Sequence, residues 1–135
     1  MIASPQSIQV ARGDAVHDAT ISWHRNGMVW TVELVSPEFE SVSASADDAF
    51  EALCRLREEI EPRGWRVGVI GAQPDVWPSG MAREQGGGVK AYRLTPTGAG
   101  EVIDTFEPVH PSTVATLERQ REEVDRLFQE MSRGG

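Results

Sequence analysis

Residues 20–34, TISWHRNGMVWTVEL, alternate apolar and polar side chains on both sides of Asn26-Gly27. Strict alternation puts every second side chain on one face of a strand, and Asn-Gly favours a two-residue turn in which both central residues take positive φ. The sequence therefore predicts a β-hairpin that pairs Arg25 with Met28, Trp23 with Trp30 and Ile21 with Val32. One face then carries Ile21, Trp23, Met28, Trp30, Val32 and Leu34 and is buried. The other carries Thr20, Ser22, His24, Thr31 and Glu33. A sheet with one apolar face needs a second layer to cover it, which excludes an all-helical chain.

The covering layer is legible downstream. Ser36-Pro37-Glu38 turns the chain, and FESVSA adds a short third strand. SADD at 45–48 has the form of a helix start, with Ser45 as N-cap and Asp48 three residues on. Ala49, Phe50, Leu53, Leu56 and Ile60 follow at helical spacing, and Pro62 and Gly64 end the run. WRVGVIGA, VKAYRLT and EVIDTF read as three further strands, and Pro111 opens a long final helix. Val114, Leu117, Val124, Leu127, Phe128 and Met131 line one side of that helix, with Arg121 interrupting them. The expected fold is α+β, a largely antiparallel sheet of five to six strands with two helices in the order βββα-βββα. Residues 1–17 are expected to form a loose arm and 18–132 a single domain. The strand–strand–strand–helix order of the first half resembles HicB-like antitoxins and double-stranded-RNA-binding folds. In the second class a basic helix start meets phosphate, and here Asp47-Asp48 argues against RNA.

Charge narrows the function classes. The net charge of the 135 residues is −8. Glu33 to Arg63 holds nine acids against three arginines. Phosphate binding rests on Lys and Arg displacing counterions, so direct nucleic-acid binding is not expected. An acidic face suits a basic protein partner. The single cysteine, Cys54, excludes an internal disulfide. The absence of a basic, apolar leader and of a long apolar stretch leads to the expectation of a cytoplasmic protein without a membrane segment.

Chemistry-bearing patterns are few. His17, His24 and His110 fall at no metal-ligand spacing, so neither metal nor cofactor is expected. Ser79 lacks the preceding glycine of a nucleophile elbow and is expected to cap the short turn GMARE. GGGVK lacks the remainder of a phosphate loop, although Ser79, Arg83 and Lys90 keep an anion-binding site as an alternative. No catalytic residue is assigned.

Residues 75–92, DVWPSGMAREQGGGVKAY, are too glycine-rich for one helix and too broken for one strand. They resemble a set of small bacterial proteins that share an Asp-Val-aromatic-Pro-Ser-Gly-Met core, a glycine-rich stretch and then Ala-Tyr. The resemblance covers about a quarter of the chain, carries no catalytic residue, and implies an association with immunity proteins of toxin systems. The leading expectation is an immunity or antitoxin protein that neutralises a basic toxin domain. Its contacts are expected at Glu33, Glu38, Glu40, Asp47, Asp48 and Glu51, with Asp75, Trp77 and Met81 of the loop as second choice. A small enzyme or anionic-ligand domain built on the loop and a homodimeric module are the alternatives. The chain is expected to be a monomer or a homodimer. Trp77 is expected to tuck inward and pin the loop, and the glycines to let the returning chain pass close to another backbone.

Overall fold

The computed structural model describes residues 2–134. The chain is α+β, but its strands divide between two sheets. Strands β1 (Gln6–Arg12), β2 (Ala15–Asn26), β3 (Val29–Ser36) and β4 (Phe39–Ala46) form an antiparallel meander. Helix α1 (Ala49–Ile60) follows, and β5 (Trp65–Val67) then pairs with β1, giving the order β4-β3-β2-β1-β5. A smaller sheet contains β6 (Val76–Trp77), β7 (Lys90–Thr95) and β8 (Gly98–Asp104), with helix α2 (Gly80–Gly86) inserted before β7. Helix α3 (Leu117–Gly134) completes the fold. Among the described residues there are thus eight strands and three α-helices, in place of the five to six strands and two helices of the βββα-βββα expectation.

Four local expectations are corrected. The stretch read as a loose arm holds β1, with Ile8 and Val10 buried in the main core; their alternation and the Gly13 turn are its signal. In the β2–β3 hairpin the turn residues are Gly27-Met28, so Trp23 pairs with Val32 and Ile21 with Leu34. Only Gly27 then needs positive φ (65°), and Asn26 stays in the strand. The register moves by two residues, which preserves the faces; Met28 alone leaves the buried set, 85% exposed at the tip. Ser45 belongs to β4, where its hydroxyl lies 2.8 Å from that of Thr31, and the N-cap of α1 is Asp48, whose Oδ1 accepts the Glu51 amide at 2.8 Å. Finally, Pro111 opens only a 3-10 turn, and α3 begins at Leu117.

Helix α1 is the central element because it is apolar on two sides. Ala49, Ala52, Leu53, Leu56 and Ile60 pack on the inner face of the large sheet, against Ile21, Val32, Leu34 and Val42. Phe50 and Cys54 turn the other way, toward Ile70, Val76, Ala91, Ile103 and Leu117. Leu94 of β7 with Val124 and Leu127 of α3 extends this second layer. Burial pushes the Cys54 thiol up from 9.0 to about 12, so it stays protonated at neutral pH. Thiol reagents at pH 8 should leave Cys54 unmodified in the native protein and label it on denaturation; rapid native labelling would show that the second layer opens.

A buried polar network joins the two layers. Arg57, fully buried, donates from Nε to Glu61 Oε2 at 2.7 Å, from one terminal nitrogen to the Ala115 carbonyl at 2.8 Å and from the other to Gln120 Oε1. Glu61 Oε1 accepts the Leu117 amide at 2.7 Å, which satisfies one free donor at the start of α3. Gln120, also fully buried, donates from Nε2 to the carbonyls of Gly71 (2.8 Å), Gln73 (3.0 Å) and Val76 (2.8 Å). Removing one member strands the others in a low-dielectric interior. Arg57→Met should therefore lower unfolding stability by about 3–5 kcal/mol in a denaturant titration; a loss below about 1 kcal/mol would show the network to be dispensable.

Candidate functional site

Residues 75–92 are held in place by contacts with the start of α1. Ser79 caps α2 as expected, its Oγ accepting the Ala82 amide at 3.0 Å. The helix is short because Gly87 and Gly88 take positive φ (67° and 74°) and the Gly88 amide returns to the Ala82 carbonyl at 3.0 Å. The returning chain then runs against α1. The Gly87 carbonyl accepts the Ala49 amide at 2.7 Å, and the Gly88 carbonyl accepts the buried Thr105 hydroxyl at 2.8 Å. A Cβ on Gly88 would lie 2.6 Å from Asp48 Oδ1 and 2.7 Å from the Phe50 nitrogen. One on Gly87 would lie 2.4 Å from the Trp30 ring. The glycine run is thus a site of backbone-to-backbone contact.

Trp77 turns inward, half-buried, its ring edge-on to Phe50 with centroids 5.0 Å apart. Arg83 closes this corner. Its guanidinium lies 5.3 Å from the Phe50 centroid and 5.6 Å from that of Trp77, and reaches Asp48 at 3.3 Å and Glu51 at 3.5 Å. The other loop cations are engaged in the same way. Lys90 bonds Asp104 at 2.6 Å across β7 and β8; Arg93 bonds Asp75 at 2.8 Å and the Gln73 side chain at 2.8 Å. Ser79, Arg83 and Lys90 therefore have three different sets of partners and do not converge on a common anion. Met81 is 67% exposed on α2.

The acidic residues singled out from sequence also separate. Glu33 lies on the open face of the large sheet, across from Ser22 and Ser43. Glu38 and Glu40 lie at the start of β4, and Glu38 sits 3.6 Å from His17. Asp47, Asp48 and Glu51 are at the opposite end of that strand, about 20 Å away at the rise of an extended chain. Asp48 is buried and serves as cap and Arg83 partner, while Asp47 beside it is exposed.

Carboxylates that do gather lie on α3. Glu118, Glu122 and Asp125 are exposed at i, i+4 and i+7, on one helix face, and form no ion pair among the described residues. Their spacing was the available signal. They line a groove of about 750 Å³ between the end of α1 and the start of α3, with Glu58, Pro62 and Leu117. Elsewhere on the helix the acids are matched: Glu123 bonds Arg126, which holds its carboxyl below the usual range, and Glu130 lies 3.9 Å from Arg133.

Among the described residues no group of three or more His, Cys, Asp or Glu side chains is placed to hold a metal ion, and no helix is long and apolar enough to cross a membrane. No family model matches the chain, and no curated protein matches it.

Gly88→Ala should cost about 2–4 kcal/mol, from positive φ and the clash with α1. Gly86→Ala, in open space on α2, should be neutral or stabilise by up to about 1 kcal/mol. Thermal unfolding of the pair checks both; equal effects would show that the glycines act only through flexibility.

Proposed function

We propose that this chain is a non-enzymatic binding protein that neutralises a basic protein partner through an acidic surface, in the manner of an immunity or antitoxin protein. The observation that carries this reading is the distribution of unpaired charge. The arginines and lysine of the loop region are engaged by Asp48, Asp75 and Asp104. Exposed carboxylates at Glu33, Glu40, Asp47, Glu118, Glu122 and Asp125 have no ion-pair partner among the described residues. Charge left unpaired on a folded surface projects a field into solvent and raises the encounter rate with a cationic partner. The same field disfavours nucleic acid and anionic membrane surfaces. An anionic-ligand site at the glycine run gains no support, since its cations point to protein carboxylates.

The test is co-expression of the chain with the product of each adjacent gene, scored for host growth, with the affinity of any complex measured across salt. Rescue from a toxic neighbour by a complex that weakens about tenfold or more between 50 and 500 mM salt supports the reading. Absence of rescue from every neighbour overturns the immunity role, and rescue by a salt-independent complex overturns the acidic mechanism.

A further inference from the structure

The outward face of α3 carries more negative charge than the helix itself uses. Glu118 stands in the first turn, where a carboxylate complements the helix dipole. That benefit fades beyond the first turn, so Glu122 and Asp125 gain little from it. Like charges at i, i+4 and i, i+3 disfavour a helix, and aspartate is a poor interior helix former. Arg121, three residues after Glu118 and four before Asp125, offsets part of that cost, so the row adds little to the helix while facing solvent. Along the same face, the groove that ends at Asp125 continues into a more open depression of about 510 Å³ lined by Phe128, Gln129, Ser132 and Arg133. Phe128 is 45% exposed there. The opposite side of α3, through Leu117, Gln120, Val124 and Leu127, is the one that packs on the core.

From Glu118 to Phe128 the trough spans about 15 Å, close to three helical turns. It offers carboxylates at helical pitch, an apolar floor at Leu117 and Pro62, and an aromatic ring at its far end. Two exposed cations line it: Arg121, 3.9 Å from Glu58, and at the far end Arg133, 3.9 Å from Glu130, each in a surface pair of little strength that an incoming lysine can replace. We infer that this trough between α1 and α3 is where a basic amphipathic helix of a partner protein docks, its Lys or Arg side chains at i, i+4 and i+7 meeting Glu118, Glu122 and Asp125 and an apolar residue covering Phe128. The inference rests on the acidic-binder reading above and specifies its surface and the form of its partner. It is a helix-in-groove contact in which charge sets register and the aromatic residue supplies burial.

The test uses the full chain and three labelled synthetic helical peptides. One carries Lys at i, i+4 and i+7 with Leu at i+10, one has the same composition scrambled, and one has Glu in place of Lys. Fluorescence anisotropy gives affinities for the native chain, E118Q/E122Q/D125N, F128A and E33Q/E40Q/D47N. All substitutions are on exposed positions, and an unchanged unfolding midpoint confirms that each variant is folded. The patterned Lys peptide should bind about tenfold or more tightly than either control, lose about tenfold with the α3 triple variant, weaken with F128A, and keep its affinity with the sheet triple variant. Equal losses in the two triple variants, or none in the α3 variant, would overturn the assigned surface while leaving the acidic-binder reading standing. Equal binding of the Lys and Glu peptides would overturn the docking mode, and the growth test would then decide the broader reading by itself.

Discussion

The fold depends on one buried guanidinium. Arg57 is carried by α1 into the interior, where it is fully buried. Its charge is met by Glu61 one turn on, and its remaining donors by the Ala115 carbonyl and Gln120. An isolated charge in such a place would cost several kcal/mol, so the surrounding elements cannot be moved independently. The segment before α3 supplies a carbonyl, the start of α3 supplies an amide and a glutamine, and 71–76 supplies three carbonyls through that glutamine. Irregular backbone between Val67 and Val76 can be buried here because its polar groups have been given partners. Apolar contact would hold the same layers together, but without this constraint on relative position.

The loop at 75–92 follows the same economy of polar groups. Its glycines bring backbone against backbone at the α1 N-terminus, and Arg83 covers both the Asp48 cap and the Phe50 and Trp77 rings. Sequence alone leaves two uses open for a glycine run near arginine and lysine, an anion cradle or a close packing site. In the folded chain those cations lie against protein carboxylates, and the glycines against the start of α1. On α3, Glu118, Glu122 and Asp125 are exposed along one face and have no ion-pair partner among the described residues.

Much of the architecture was legible because short-range rules act on contiguous residues. Alternation gave the β2–β3 faces; Ser79 as a cap and Gly64 as a stop are local chemistry. The misplacements share a cause. Asn26-Gly27 permits two registers, and the turn with a single positive-φ residue is the one adopted. Ser45 and Asp48 are both good caps, and β4 runs on past the first of them because Thr31 and Trp30 of β3 pair with its end. Residues 6–12 form a strand because they find partners on both sides, in β2 and β5; the alternation around Ile8 and Val10 is short, and the long-range pairing is what holds it.

By itself the sequence determined the class of fold, the faces of the central hairpin, the limits of α1 at its C-terminal end and the sign of the surface charge. These follow from side-chain period, turn chemistry and composition, each carried by neighbours in the chain. Only the tertiary structure decided which charges survive to the surface. Whether a carboxylate is a cap, a buried counter-ion or a free group depends on a partner tens of residues away, as for Asp48 with Arg83 and for Glu61 with the start of α3. Charge cancels through space, over a few ångströms, and the sequence fixes no such distances until the layers have packed.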